Sequence, residues 1–527
     1  MDRINLWKSE GRLQPSYILD HMGEGSEHFD SAWWYRFDSK EGELTEDEFT
    51  SLLLAEGGLP PSCHGLGRFV YQMIAYLSHT PFYPPAGQKP RATITITEIY
   101  RGLAWLIPDL LRGGSTIGRA RTLADERRHL FQSLATTTHD GTRDPVADRQ
   151  RAHRNAFFMP EPQYEENGWL GNNYCDDGDE MFHDVLDTLF FFQYDVNRYI
   201  PYGRVRRETF RETAKELIEE KDRFRLYSLA IPLDDLTTFL GFMLAMQFEW
   251  EEGASPELAL FNDAATELAR SFCHDPARGV TWPEFDDILP QVPFLFDPLQ
   301  RLIAAAFMGP LPMEVSYSDK APTPPKDTSM TLPRLSQLAS MVNLDVDFED
   351  FKRAHQWYKG VRPCARVLSN AMRSMPGQNV MVVRGWSPSG GESIVGIFNP
   401  PEPELETRKR EDDLELGPPA DLDDAVRREL IVTRQDAVRD RLEYQGHIAC
   451  PVRPHVFVLK PAQRMVRFEG GPRVEGDCLR CGDALEIRND GLVSIRVGDL
   501  DIRSKATKIE VWGETARPDS GSSDWTR

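Results

Sequence analysis

The 527 residues contain no uninterrupted apolar run near the roughly 18 that a bilayer-spanning helix needs. The opening residues, Met1-Asp2-Arg3-Ile4-Asn5, lack the basic and then apolar order of a secretory signal, and Asp2 stands where N-myristoylation requires glycine. A folded cytoplasmic protein is expected, one that meets a membrane only through a partner. Cysteine is scarce; the 7 residues are odd in number and mostly scattered, which excludes a disulfide framework. Basic residues are outnumbered, 61 against 83 acidic, for a formal net charge of -22. That balance argues against a protein that neutralises phosphates over a broad surface, so no nucleic acid is expected as a partner, although local basic patches remain open. Catalytic signatures are missing too. Gly114-Ser115-Thr116-Ile117-Gly118 misplaces the serine of G-x-S-x-G, and neither H-E-x-x-H nor G-x-x-x-x-G-K-[ST] occurs. Neither an enzyme nor a cofactor is expected.

What is present is an ordinary globular composition, 40% hydrophobic and 27% charged, on a chain too long for one core, so two or three units are expected. Helical patterns dominate the first part. Thr45 and Glu48 have the spacing of a capping box and predict a helix from Glu46 through Leu54, stopped by Gly57-Gly58-Leu59-Pro60-Pro61. Thr281 and Glu284 repeat that spacing. Residues 1–112 are read as a helical unit, 113–180 as a loop-rich insertion, 181–316 as a second helical unit and 317–333 as a Pro-rich linker. From 334 to 514 a helical stretch over Phe348 to Met375 gives way to strands at Val380–Trp386, Ser393–Phe398, His455–Leu459, Leu485–Val497 and Lys508–Trp512. A charged excursion from the sheet is expected over Pro400 to Glu429, and a disordered tail over residues 515–527. The fold class is α+β.

Five segments of the C-terminal third, in order, resemble the TLDc domain, and more closely its fungal restriction-of-telomere-capping type. They are Asn379-Val-Met-Val-Val-Arg-Gly-Trp386, Gly396-Ile-Phe-Asn399, His455-Val-Phe-Val-Leu-Lys-Pro461, Gly482-Asp-Ala-Leu-Glu-Ile487 and Ile509-Glu-Val-Trp-Gly513. Leu44-Thr-Glu-Asp-Glu-Phe49 is similar to the degenerate EF-hand-like unit that opens such proteins. The resemblance implies a C-terminal domain of two antiparallel sheets with flanking helices. It also implies a non-enzymatic regulator that protects against oxidative damage, binds the vacuolar proton-pumping ATPase and favours separation of its sectors. The telomere-capping label carries no mechanism.

Candidate domain-signature or interface residues follow: Trp386, Gly390, Gly391, Gly396, Phe398, Phe457, Trp512 and Gly513. Gly390-Gly391 suits either a hairpin turn or a close approach by a partner. Trp512 shares a strand face with Lys508 and Glu510, which mark that face as solvated, so it needs a cover from its own chain or from a partner. In calcium-loop numbering Gly42 and Glu48 fall on the required glycine and the bidentate carboxylate, but Phe37 falls on the first ligand position, so a metal-free helical pair is expected. Cys478-x-x-Cys481 is either a redox pair or half a zinc site, against the plainer reading of two reduced thiols at a strand entry.

Overall fold

The Thr-x-x-Glu boxes at Thr45 and Thr281 are both helix starts in the computed structural model. The structure describes residues 42–57, 59, 61–82, 92–106, 123–139, 146–147, 151, 184–185, 188–189, 210–217, 225–248, 257–308, 324–342, 344, 351–358, 363–375, 377–400, 454–468, 471–498 and 500–514. The excursion after residue 400, the tail after 514 and most of the expected insertion lie outside these residues.

The elements of the first part, in chain order, are β1 (Glu43–Thr45), α1 (Glu46–Glu56), α2 (His64–Leu77), β2 (Thr93–Thr95), α3 (Ile96–Leu106), α4 (Leu123–Leu134), β3 (Thr137–Thr138), α5 (Arg211–Leu217), β4 (Leu229–Ile231), α6 (Leu233–Ala245), α7 (Asn262–Phe272), β5 (Val280–Thr281), α8 (Trp282–Ile288) and α9 (Asp297–Met308). Packing divides the chain into two compact units. One takes Met1–Phe239, Cys273–Leu289 and Leu299–Val315; the other takes Leu240–Phe272, Pro290–Pro298 and Ser316–Arg527. This division runs through the helical unit read over 181–316, because α7 packs with the sheet described below.

In the first unit, α2 buries Leu66, Val70, Tyr71, Met73, Ile74 and Leu77 at helical spacing. It lies close to α3 because Gly102 has no side chain: a Cβ there would sit 2.5 Å from the Ile74 carbonyl oxygen. Helix α4 corrects the reading of 113–180 as loop. Leu130, Phe131 and Leu134 are buried, and Phe131 packs against Trp282 and Phe285 of α8 with ring centroids 5.6 Å apart. The polar residues around this apolar stripe hid its period. Two of them, Arg128 and His129, are buried with Asp184, which accepts from Arg128 Nη1 and Nη2 at 2.7 Å and lies 2.9 Å from His129 Nε2.

The second unit is built on α10 (Leu332–Ala339), β6 (Phe351–Tyr358), α11 (Ala365–Arg373), β7 (Asn379–Trp386), β8 (Glu392–Asn399), β9 (His455–Lys460), β10 (Arg464–Arg467), β11 (Arg473–Glu475), β12 (Cys478–Cys481), β13 (Leu485–Arg488), β14 (Leu492–Val497) and β15 (Leu500–Glu514). Where a helical stretch is expected from Phe348 to Met375, residues 351–358 are a strand. Their partner is β15, 150 or more positions away, so local pattern could not reveal the pairing.

Every pairing in this unit is antiparallel, in the order β10-β9-β8-β7-β15-β14-β13-β12-β11, with β6 also on β15. Hydrogen bonding therefore makes one sheet where the resemblance implies two. The cause is the length of β15, about 50 Å at 3.3 Å per residue. Its first part, from Leu500 to Lys505, pairs with β14; it pairs with β7 from Lys505 on and with β6 from Lys508 on. The two leaves enclose one core, in which Met381, Val395 and Val458 of one leaf join Leu479, Ile487 and Ile495 of the other. Helix α11 contributes Leu368 and Met372 to that core. The hairpin read from Leu485 to Val497 is present, turning at Gly491 with φ 83° and burying Leu485, Ile487, Val493, Ile495 and Val497.

The far side of the β7–β9 leaf is buried as well, under α7 and α10. There Glu267 pairs with Arg334 and lies 3.2 Å from Lys460 Nζ, while Arg334 and Gln337 reach the Leu459 carbonyl oxygen. Leaving Arg334 buried without its carboxylate should cost about 3 to 5 kcal/mol. A fragment starting at residue 316 lacks α7, so its melting temperature is expected to fall at least 10 °C below that of a fragment starting at residue 240, as read by circular dichroism. Equal melting temperatures would show that α7 is dispensable to the sheet.

Candidate functional site

The five signature segments fall on five strands of the one sheet: β7, β8, β9, β13 and β15. Gly396 and Phe457, far apart in sequence, face each other across β8 and β9. A Cβ on Gly396 would lie 2.4 Å from Phe457 Cζ and 2.2 Å from the Met381 carbonyl oxygen, so the glycine exists to receive the ring. Phe398 is fully buried on the same face, and its ring centroid lies 6.1 Å from that of His455. Gly513 likewise makes room, for the Met375 side chain at 2.8 Å. These four residues serve packing.

Gly390 and Gly391 close the β7–β8 hairpin. Gly390 takes φ 86°, Ser387 N donates to the Gly391 carbonyl, and Gly391 N donates to Ser387 Oγ at 3.0 Å. The turn reading accounts for both. Trp386, by contrast, remains 47% exposed at the end of β7.

Trp512 is 5% exposed, and its cover comes from its own chain: the Phe351 ring stacks on it at 6.3 Å, and Arg353 Cζ lies 5.9 Å from its centroid. The reading of that face as solvated is corrected. Glu510 is 0% exposed, accepting from Ser329 N at 2.7 Å, Thr328 Oγ1 at 3.1 Å and Arg353 Nη1 at 3.0 Å, with Lys508 Nζ at 3.2 Å. The donors Thr328 and Ser329 belong to the stretch read as linker. Asp327 beside them accepts from Tyr358 Oη and Lys508 Nζ, and these bonds hold its carboxyl below the usual range. Sequence alternation placed Glu510 beside Trp512 correctly; what it missed was that a segment rich in Pro, Thr and Lys could supply donors and close over the strand.

The two cysteines of β12 do not face each other. Three positions apart on a strand, they point to opposite faces, Cys481 into the core and Cys478 outward, with Sγ 3.6 Å from Glu486 Oε1. Burial pushes the Cys481 thiol up to about 12, and burial with the Glu486 charge raises Cys478 also. Both shifts oppose the thiolate that redox or zinc chemistry requires.

In the first unit, β1 and β2 pair through Leu44 and Ile94, and each runs into a helix with its own capping box. Glu48 Oε2 accepts from Thr45 N at 3.0 Å, and Glu98 Oε2 accepts from Thr95 N at 2.8 Å. The second box, Thr95-x-x-Glu98, has the same spacing in the sequence. At the third, burial disfavours the Glu284 charge, yet hydrogen bonds from Thr281 and His274 hold its pKa below the usual range, and Arg278 donates to it at 3.0 Å. These carboxylates cap helices, and no group of three metal-ligating side chains forms among the described residues. Phe37 lies outside them.

Compared with known proteins, the chain matches no family model and no curated sequence.

Gly396→Ala is expected to destabilise the protein by about 3 kcal/mol through overpacking against Phe457, measured by chemical denaturation; an unchanged midpoint would show that the ring is free to move.

Burial pushes the His455 imidazole down to about 3, with Arg467 adding to the effect, and its Nδ1 has no hydrogen-bond partner among the described residues. The folded state keeps this ring neutral while the unfolded chain protonates it below about pH 6.5, so stability is complete above that pH and is lost as pH falls toward 3. The loss reaches about 2 kcal/mol by pH 5. His455→Leu should flatten that part of the acid limb, as read from denaturation midpoints between pH 7 and 5. An identical acid limb in the variant would assign the loss to other groups.

Proposed function

We propose that this chain is a non-enzymatic TLDc regulatory protein of the restriction-of-telomere-capping type. In this reading it binds the vacuolar proton-pumping ATPase through its C-terminal sheet and modulates the pump's assembly, with oxidative-stress resistance as a consequence. The observation that carries it is the fit of Phe457 over Gly396: two separate signature segments meet on neighbouring strands, and the signature glycine is required by the signature aromatic. The paired loops of β1 and β2, each entering a capped helix, support an EF-hand-like unit used for packing. A cytoplasmic location with recruitment to the vacuolar membrane through the pump belongs to the same proposal; among the described residues no helix is long and apolar enough to cross a membrane. The opposed cysteines of β12 take support from the alternative redox role.

The test is affinity purification of the tagged full chain from fungal cytosol, with mass spectrometry of what co-elutes. Subunits of the pump's peripheral sector are expected in the eluate at levels well above an untagged control. Their absence, with the tagged protein intact, would remove the pump from the proposal.

A further inference from the structure

The outward face of the β11–β15 leaf runs against the charge of the whole molecule. Cross-strand register sets Arg473, Arg480, Glu486, Ser494 and Arg503 in one row over five strands, all pointing away from the core. In the neighbouring row Lys505 stands between Leu492 and Trp386. On a chain of net charge -22, this is a local surplus of cations.

The ion pairs on this face leave part of it unmatched. Arg480 is taken up by Glu475 at 3.1 Å and Glu486 at 3.0 Å, and Arg496 faces Asp501 at 3.6 Å. Arg473 and Arg503, at the two ends of the row and both exposed, make no ion pair among the described residues. On the strand beyond Arg503, opposite Lys505, is Trp386, the one large signature aromatic that the fold leaves open, with Leu492 half-buried two strands away. Tryptophan and arginine are the side chains most enriched at the energetic centres of protein interfaces.

We propose that this face, from Arg473 across Arg503 to Trp386, docks an acidic segment of a partner protein that also carries an apolar side chain for the tryptophan. The interleaved Glu475 and Glu486 decide the class of partner. A uniform polyanion, whether nucleic acid or an anionic lipid surface, would meet Glu486 in the middle of the arginine row and Glu475 beside Arg473 on the edge strand. A protein segment can place its own acids at the row's ends and leave the centre neutral. The proposal rests on the binding-protein reading above, but not on the pump as the partner.

The probe is a fluorescein-labelled peptide of twelve residues, glutamates with one central leucine, titrated with the full chain and followed by anisotropy at 50 and 250 mM salt. Binding that weakens at least fivefold at the higher salt is expected. Arg473→Glu with Arg503→Glu should weaken it at least tenfold, and Trp386→Ala severalfold. These side chains are exposed, so circular dichroism and melting temperature should be unchanged. Arg68→Glu with Arg270→Glu makes the same change in net charge elsewhere and should bind as the wild type does. No binding, or an equal loss in that control, overturns the proposal. So does tighter binding of oligo-deoxythymidine or phosphatidylserine vesicles through the same two arginines. If the peptide binds through Trp386 and Arg503 while pump subunits fail to co-purify, the pump reading falls and the surface stands; if pump subunits co-purify equally with all variants and the peptide does not bind, the reverse holds.

Discussion

A carboxylate at a fully buried position of the longest strand is costly unless every lone pair is used, and around Glu510 they are. Arg353 and Lys508 neutralise it, while a backbone N–H and a hydroxyl from residues 328–329 complete its shell. Such a group is weak evidence for stability, since an apolar side chain of similar size would avoid the desolvation cost. Its effect is to select. Only a chain segment offering two donors at the right spacing can cross this part of the sheet, and 324–331 does so with Asp327, Thr328 and Ser329 in succession. That crossing delivers α10 to the far side of β9, where Arg334 meets Glu267 and the second layer of helices is fixed.

The two faces of the β7–β9 leaf are thus buried by different means. One is covered by the folded-over leaf in an apolar core, the other by helices in a mixed environment where Glu267, Arg334, Gln337 and Gln463 interlock. Doubly buried strands lose the alternation of a half-buried sheet, which is why β8, with Ser393 through Phe398 all buried, reads as a continuous apolar run. The β13–β14 hairpin has solvent on one face and alternates cleanly. The two patterns in one domain record which strands lie between layers.

What was legible in the sequence had a local cause. Capping boxes at Thr45 and Thr281, the turn at Gly491 and the alternation of β13 and β14 each depend on residues within a few positions of one another. What escaped depends on distant partners. Strand β6 has no pattern of its own, because charged and aromatic residues alternate irregularly along an edge. Short strands β10 to β12 exist by pairing alone. Of the signature residues, Gly396 and Phe457 explain each other's packing, Gly513 makes room for Met375, and exposure singles out Trp386, which strand pattern alone does not separate from the rest.

The central strand of this sheet is also its last. Until β15 is added, β7 and β14 present open edges, and the two leaves have no common member. During synthesis the chain must carry both half-sheets unjoined until residues 500–514 arrive, and only then can Ile509 and Val511 enter the core that both share. Pairings so distant along the chain carry a large loop-closure cost and form slowly, which leaves the waiting edges open to other strands. A chain ending before residue 500 would leave both half-sheets unjoined and their edges at β7 and β14 unpaired.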